Sequence, residues 1–267
     1  MRAIVVENDK NIKRMKPFIL SETNWKIIKD QKIELAVLPW GATEAHNYHL
    51  PFATDNIMVE RIAAESAQAA WNDGAKLIVL PAIPFGVNTG QLDIKLNINL
   101  NPSTQFAILN DVTDVLNRHE IFKFLILNGH GGNDFKQMVR ELGPKYPKMF
   151  ICGCNWYQSF ANSDFFESSG GHADEMETSV MQFIAPELVL PLNEAGDGKS
   201  KKFRIKALSE NWAWAERKWS KVTADTGIGS PNKATPLKGE KCFNEIIKKV
   251  GNLMTELAGA DINDMYE

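Results

Sequence analysis

The segment from Phe122 to Asn133, FKFLILNGHGGN, is an apolar run followed at once by a glycine-rich loop. Its first six residues have the length and composition of a buried β-strand. The residues from Asp134 to Leu142 then have the spacing expected of a helix. A strand, a short loop and a helix in this order form the repeating unit of α/β proteins.

The same order recurs on both sides of this segment. Further strands are predicted at three apolar runs, Ile33 to Leu38, Lys76 to Leu80 and Met149 to Cys154. Helices are predicted at the amphipathic segments, which are Asn56 to Trp71, the segment opened by Asn101 and Pro102, Ala173 to Ile184, and about Leu237 to Leu257. The alternation predicts an α/β fold in three layers, with a central, mainly parallel β-sheet flanked by helices.

The chain of 267 residues is long enough for one large domain or two small ones. Because it shows no internal repeat or low-complexity tract, we predict a single domain over residues 1–267. Residues 195–236 differ from the rest, since they are rich in Gly, Lys and Ser and hold Trp212, Trp214 and Trp219 close together. We expect this segment to be a long excursion, either a lid or a subunit contact.

Composition argues against several classes of partner. Hydrophobic residues make up 44% and charged residues 24%, and the net charge of −3 is spread along the chain. Neither nucleic acid nor an acidic membrane surface is therefore favoured as a partner. No stretch reaches the roughly 18 to 20 apolar residues of a membrane span, and none near Met1 has the length of a signal-peptide core. The three cysteines lack zinc-finger spacing, so we expect reduced thiols in a cytoplasmic protein.

The first group of chemically active residues follows the first predicted strand, in the run GATEAHNYHLPFATD from Gly41 to Asp55. If the chain is extended there, Glu44 and His46 point the same way. Asp55 follows at the start of the next helix. Two carboxylates and an imidazole are suitable ligands for a divalent ion. The alternative is a solvated loop with Asp55 as a helix cap, which is about equally plausible for Asp55 alone.

The second group is the loop after the strand at Phe122 to Leu127. Glycines on both sides of His130 allow the backbone to turn tightly and to approach a bound group. A phosphate-binding loop is the alternative, but the lysine and hydroxyl residues of a P-loop and the GxGxxG spacing are missing. We therefore predict His130 as a metal ligand.

The third group lies at the start of the helix predicted from Ala173. His172 and Glu175 are three residues apart, so they share a face if both lie on the helix. Glu177 is two residues further on and is expected to have a separate role. Asp174 fits best as an acidic residue at the positive end of the helix dipole. His49 is either structural or a support for the first group.

All three groups follow strands or begin helices. In a parallel α/β sheet the ligand crevice lies beyond the carboxyl ends of the strands. Side chains far apart in the chain are therefore expected to meet at one edge of the sheet.

These segments resemble the signature sequences of the creatininase family. The run from Gly41 to Asp55 is similar to its Glu-x-His and Thr-Asp signature, and Asn128 to Asn133 matches its Asn-Gly-His-Gly-Gly-Asn loop. The segment from His172 to Ser179 is similar to a family helix start, and Gly227 to Lys241 follows a later stretch more loosely. The resemblance spans about Leu38 to Lys241 in the right order.

Residue by residue, the resemblance implies two divalent metal ions bound by Glu44, His46, Asp55 and His130, with Asp55 between the ions. Zinc is the first choice, and manganese or iron are the alternatives. His172 matches a catalytic histidine of the family, and Trp156 matches a tryptophan of the substrate pocket. The family also implies a homo-oligomer, usually a hexamer.

The chain departs from creatininase itself at two places. One is a tryptophan shortly before the catalytic histidine, where this chain has Ser168 or a neighbour. The other comes after the loop histidine. A Tyr-Glu pair follows this histidine in creatininase and its glutamate binds the second metal, whereas this chain has Gly131 and Gly132. We therefore predict that Glu175 supplies the missing ligand and that Gly131 lies at the substrate. The glycine version resembles branches that include a formamide-cleaving deformylase and a peptidase of a cofactor precursor.

The resulting hypothesis is a metal-dependent amidohydrolase. It would hydrolyse a C–N bond of a small cyclic amide, amide or formamide through a metal-bridging hydroxide. His172 would stabilise the oxyanion or pass a proton to the departing nitrogen, and Glu177 would orient His172. Two alternatives stay open, a non-catalytic metal or small-ligand binding protein on the same scaffold, and a nucleotide-binding enzyme that uses the glycine-rich loop for phosphate.

Overall fold

Four parallel strands form the centre of the structure, a computed structural model that describes residues 15–168 and 170–267. They are β1 (Leu35–Trp40), β2 (Leu77–Val79), β3 (Lys123–Asn128) and β4 (Phe150–Asn155). The order across the sheet is β2-β1-β3-β4, and every neighbouring pair is parallel. The prediction of a central parallel sheet is confirmed.

The ends of all four strands differ by one or two residues from the prediction. β1 was expected to stop at Leu38, but it continues through Pro39 to Trp40, which pairs with Asn128. Proline lacks an N–H, yet its carbonyl still accepts a hydrogen bond from Ile83 N at 3.0 Å. The extension carries β1 to the carboxyl edge of the sheet, where the loop from Gly41 to Ala53 begins.

Eight α-helical segments connect and cover the strands in the described residues. They are α1 (Trp25–Ile28), α2 (Thr54–Asn72), α3 (Pro102–Arg118), α4 (Lys136–Lys145), α5 (Glu175–Ile184), α6 (Lys206–Ser209), α7 (Trp219–Val222) and α8 (Pro236–Gly259). No helix in these residues is both long enough and apolar enough to cross a membrane. The excursion at 195–236 contains only the short α6 and α7.

The sheet separates two hydrophobic cores, because alternate residues of a strand face opposite sides. On one side Val37 and Leu125 pack with α2, α5 and α8. On the other side Leu38 and Ile126 pack with α3 and α4. Helices therefore cover both faces, which is the three-layer arrangement expected from the sequence.

The helix predicted from Ala173 begins two residues later, at Glu175. Asp174 is its N-cap, and its side chain accepts hydrogen bonds from the backbone N–H groups of Met176 and Glu177. Ala173 has a φ of 50°, which lies outside the helical region. His172 is therefore not on the helix, and this changes which side chains of α5 can lie beside it.

Candidate metal centre

Three carboxylates and three histidines meet at the carboxyl edge of the sheet. They come from the loop after β1, the start of α2, the loop after β3, and the segment before and at the start of α5, and they are Glu44, His46, Asp55, His130, His172 and Glu177. Five of them are buried, and the Glu177 side chain is 12% exposed. We call these six residues the acid–imidazole cluster.

His130 contacts two carboxylates through one ring nitrogen. Its Nδ1 lies 2.9 Å from Glu44 Oε1 and 3.0 Å from Asp55 Oδ2. These three residues form one group whose ligand atoms all lie within 4.8 Å of one another. The spacing suits a single cation at their centre.

His46 forms a second group on the other side of Asp55. Its Nε2 lies 3.2 Å from Asp55 Oδ1 and 3.9 Å from Glu177 Oε2. Asp55 thus belongs to both groups and uses a different oxygen in each. A carboxylate shared in this way can join two cations.

His172 lies beside both groups and forms a third group of possible metal ligands with Glu44 and His46. Its Nδ1 is 3.7 Å from Glu44 Oε1, and its ring centre is 4.1 Å from that of His46. The edge of Trp219, in α7, packs against the His172 ring with 4.8 Å between the centres. A residue of the excursion therefore contacts the cluster directly.

Each of the three histidines uses its second nitrogen in the same way. His46 Nδ1 lies 3.1 Å from the Glu44 carbonyl oxygen, His130 Nε2 lies 3.0 Å from that of Val87, and His172 Nε2 lies 2.9 Å from that of Ala45. A carbonyl can only accept, so each of these nitrogens carries a proton and donates it. In the neutral ring the other nitrogen then has a free lone pair, which faces a carboxylate in every case.

Facing lone pairs repel unless a cation or a proton lies between them. Asp55 Oδ2 shows the problem most clearly, because it is buried and receives no hydrogen bond of suitable geometry although His130 Nδ1 is 3.0 Å away. A metal ion bound between nitrogen and oxygen would satisfy both atoms. Histidines that ligate metals commonly donate their other N–H to a carbonyl, so the residues present fit divalent cations.

The electrostatics of the metal-free cluster agree with this view. Burial alone would lower the pKa of His46, but the charge and hydrogen bond of Asp55, together with the charges of Glu177 and Glu44, outweigh it and raise that pKa to about 10. Burial likewise opposes a charge on His130, yet Glu44 and Asp55 raise its pKa well above the ordinary value. The carboxyl pKa of Asp55 is lowered, since His46 and His130 outweigh the effect of burial. Protons take the places that cations would fill.

Glu175, predicted as a ligand, is not part of the cluster. Its Oε1 accepts a hydrogen bond from Lys238 Nζ at 2.6 Å, and its Oε2 accepts one from Ser168 N at 2.9 Å. The reason is the late start of α5: His172 lies before the helix, so the three-residue spacing does not place Glu175 beside it. Glu177 points into the cluster instead, and its Oε2 also accepts from Ala173 N.

The remaining predicted residues lie close to the cluster but differ in exposure. Gly131 is exposed, and a side chain built there would meet nothing within 4 Å. Trp156 is buried in the core, with its Nε1 behind Gly129. Asp55 does not cap α2, because its carboxylate is directed at the histidines. His49 is buried, and its Nε2 lies 2.8 Å from Thr178 Oγ1.

Two residues at the site were not identified from the sequence. Gln91, in a 3-10 turn at Thr89–Gln91, donates a hydrogen bond from Nε2 to Glu44 Oε2. Asn97 donates to Gln91 Oε1. Both lie in the irregular connection between β2 and α3, which carries no recognisable motif, and only the tertiary contact with Glu44 reveals them.

Comparison with known proteins agrees with the geometry. A family model described as creatininase, creatinine amidohydrolase, matches residues 21–254. A crystal structure from Bacteroides fragilis NCTC 9343, provisionally named a creatinine amidohydrolase, matches with a TM-score of 0.88 at 44% identity, over 94% of this chain and 99% of that one.

More distant proteins match over similar lengths. A mycofactocin precursor peptide peptidase from Mycobacterium ulcerans (strain Agy99) is 24% identical over 229 residues, which is 79% of this chain and 80% of that protein. A manganese creatininase and a zinc–zinc form of a creatininase variant match with TM-scores of 0.73 and 0.71. Each is 19% identical and is matched over 92% of this chain and 100% of its own, which shows a shared fold.

Proposed function

Because the chain belongs to the creatininase family of hydrolases, we propose that it is a metal-dependent amidohydrolase that cleaves a C–N bond of a small cyclic amide, amide or formamide. One observation carries this proposal. Each histidine of the acid–imidazole cluster donates one N–H to a backbone carbonyl and turns the other nitrogen toward a carboxylate. That arrangement is suited to divalent cations.

The cluster offers ligands for two cations. Glu44, Asp55 and His130 would hold one, and His46, Asp55 and Glu177 would hold the other, with Asp55 between them. Nitrogen and carboxylate oxygen without sulfur suit zinc, manganese or iron, and the distant creatininases named above are manganese and zinc–zinc forms. Such a pair of cations supplies an activated water and polarises a substrate carbonyl.

His172 is the residue best placed to move a proton. Its Nε2–H is held by the Ala45 carbonyl, so its Nδ1 is free to take up a proton and to release it to a departing amine nitrogen. Trp219 packs against the His172 ring in an edge-to-face arrangement, with 4.8 Å between the ring centres. The position of His172 beside these groups supports the proposal of an enzyme over that of a protein that only binds metal.

For Glu177 we propose a different role from the one predicted from the sequence. The sequence suggested that it orients His172, but its Oε2 lies 3.9 Å from His46 Nε2 and forms a group with His46 and Asp55. We therefore propose Glu177 as a metal ligand in place of Glu175. Gly131 would give the substrate open access beside His130, and Trp156 would shape the pocket from behind Gly129.

The test is removal and return of metal. Protein stripped with a chelator is expected to lose hydrolysis of a panel of cyclic amides, formamides and short peptides, and to regain it with zinc, manganese or iron. Peptides are included because one relative is named a peptide peptidase. Activity that is indifferent to metal would contradict the mechanism. Metal uptake without hydrolysis of any panel member would favour a binding protein.

Two variants sharpen this test. Glu44→Gln is expected to reduce bound metal per chain in elemental analysis, because an anionic ligand becomes neutral. His172→Gln is expected to keep its metal and to lose turnover, because the proton carrier is gone. A His172→Gln protein with native turnover would remove His172 from the mechanism.

The proposal also includes a homo-oligomer, which is a hexamer by resemblance to the family. Light scattering of the purified protein would test this.

A further inference from the structure

We propose that Gln91 and Asn97 are positioning residues that orient the Glu44 carboxylate for the metal centre. This inference rests on the proposed function, because it concerns how the chain prepares a metal ligand. It adds two residues that lie outside the six-residue cluster.

The two amides form a closed path around Glu44. Gln91 Nε2 donates to Glu44 Oε2, and Gln91 Oε1 accepts from Asn97 Nδ2. Asn97 Oδ1 in turn accepts from Ala45 N at 2.8 Å. Because Ala45 follows Glu44 in the chain, the path begins and ends on the same loop. Gln91 is only 3% exposed, so water cannot easily replace it.

The donor and acceptor roles along this path of hydrogen bonds are determined by the Ala45 N–H at its end. The nitrogen and oxygen of a side-chain amide are hard to tell apart by shape, so their orientation is decided by their partners. The Ala45 N–H can only donate, so Asn97 must face it with oxygen and must face Gln91 with nitrogen. Gln91 must then accept from Asn97 and donate to Glu44. Glu44 Oε2 is therefore required to be an acceptor, as it is in an ionised carboxylate.

The path also leaves Glu44 with one free oxygen. Since Oε2 is held by Gln91, Oε1 is the atom that lies 2.9 Å from His130 Nδ1 and 3.7 Å from His172 Nδ1. Ala45 links the same path to His172, because its carbonyl accepts from His172 Nε2 at 2.9 Å. The loop that carries Asn97 is held against this segment by a hydrogen bond from Ile98 N to Thr43 O at 3.0 Å.

The test uses Asn97→Asp in the full-length protein, with Asn99→Asp as the matched control. The Asn97→Asp carboxylate keeps an acceptor for Ala45 N but has no donor for Gln91, so two oxygens would repel and the Gln91 amide would turn its oxygen toward Glu44. Asn99 lies on the same loop, where its Oδ1 accepts from Asn88 N at 2.8 Å and its Nδ2 donates to Asn101 Oδ1 at 2.8 Å. The control thus loses an equivalent donor away from Glu44.

Zinc or manganese binding is measured by competition with a chromophoric chelator. Asn97→Asp and Gln91→Leu are expected to weaken binding about 10- to 100-fold, the effect typical of residues that support metal ligands. Asn99→Asp is expected to bind as the native protein does. Thermal unfolding of the chelator-treated proteins separates loss of metal affinity from loss of folding. Native dissociation constants in both Asn97→Asp and Gln91→Leu would overturn the proposal.

A crystal structure of metal-free Asn97→Asp provides a readout that does not depend on metal. Glu44 Oε1 is expected to move away from His130 Nδ1, whereas retention of the native contact would overturn the positioning role. The two proposals fail in different ways. If the native protein bound no metal, the proposed function would fail, and the crystal structure would still decide whether Gln91 and Asn97 orient Glu44.

Discussion

Gly132 lies so close to His130 that no side chain fits between them. A Cβ built on Gly132 would be 2.5 Å from His130 Nε2 and 2.3 Å from the Val87 carbonyl oxygen. Gly86 lies on another side of the ring, where a Cβ would be 2.6 Å from His130 Cδ2. The imidazole thus lies between two glycines that have no side chains. This close approach lets its Nε2–H donate to the Val87 carbonyl oxygen.

Gly132→Ala is therefore expected to displace His130. We expect a loss of about 1 to 3 kcal/mol in the free energy of unfolding, as for other overpacked sites, together with reduced metal content. Gly131→Ala is the matched control, because a Cβ there would meet nothing within 4 Å. Its stability is expected to change by less than about 0.5 kcal/mol. Denaturant unfolding of the two variants, side by side, checks the prediction, and equal losses would contradict it.

The two glutamates of α5 are expected to separate metal binding from stability. Glu177→Gln should lower the metal content while the fold is kept, because Glu177 faces His46 and Asp55. Glu175→Gln should keep the metal but weaken the contact with Lys238 Nζ and the hydrogen bonds from the Ser168 and Glu167 N–H groups. A loss of about 1 to 3 kcal/mol in unfolding free energy is typical when charged hydrogen bonds are disrupted.

Elemental analysis and denaturant unfolding of the same samples decide the matter. Metal lost from Glu175→Gln and retained in Glu177→Gln would restore the ligand set predicted from the sequence. It would also mean that α5 begins earlier than Glu175 in the metal-bound protein.

The strands and most helices could be predicted because their apolar spacing is local. The run from Lys123 to Leu127 is buried on both faces, and such runs are recognisable without knowledge of the rest of the chain. Parallel strands then place their following loops at one edge, which explains why Glu44, Asp55 and His130 could be expected to meet. The strand continued through Pro39 because a proline carbonyl still accepts a hydrogen bond.

The presence of Glu177 rather than Glu175 in the acid–imidazole cluster could not be predicted, because the phase of a helix depends on where it begins. The start of α5 is determined by the φ of 50° at Ala173 and the capping side chain of Asp174. Neither feature changes the spacing of apolar residues from which a helix is predicted. Gln91 was missed for another reason, since a polar residue in an irregular loop gives no local signal of a contact 47 residues away.

The stability of the metal-free protein is expected to fall as the pH rises. His46 has an ordinary pKa of 6.5, and in the folded protein the effect of burial is outweighed by Asp55 together with Glu177 and Glu44, which raise the pKa to about 10. A raised histidine pKa contributes stability that is complete below pH 6.5 and is lost as the pH rises through about 10. In the metal-loaded protein cations replace these protons, so the dependence over this window should be much smaller.

Denaturant unfolding between pH 6.5 and 10, with and without zinc, measures the difference. Asp55→Asn serves as the control in the metal-free series, because it removes the largest of the three charges that raise the His46 pKa and should make the slope smaller. The same slope in the metal-free and metal-loaded proteins would show that the histidines do not exchange protons for metal.

Asp174 is expected to oppose folding at neutral and alkaline pH even though it caps α5. Burial, followed by the charge of Glu177, raises its pKa from 3.8 to about 7. The hydrogen bonds that it accepts from the N–H groups of Glu177 and Met176 lower the pKa but do not offset this increase. For a carboxyl group with a raised pKa, stability is lost as the pH rises from about 4 through 7. An uncharged cap at this position should therefore be better than the native residue above pH 7.

Asp174→Asn keeps a capping oxygen and removes the charge. In the metal-free protein we expect it to be more stable than the native chain at pH 8 and to approach the native value near pH 4, where the native carboxyl is protonated. Asp174→Ala removes the charge and the cap together, so its free energy of unfolding should be about 1 kcal/mol lower than that of Asp174→Asn at both pH values. Chemical unfolding of the three proteins at pH 4 and pH 8 tests this prediction. If the native chain were the most stable of the three at pH 8, the Asp174 charge would be stabilised by the helix start more than it is disfavoured by burial.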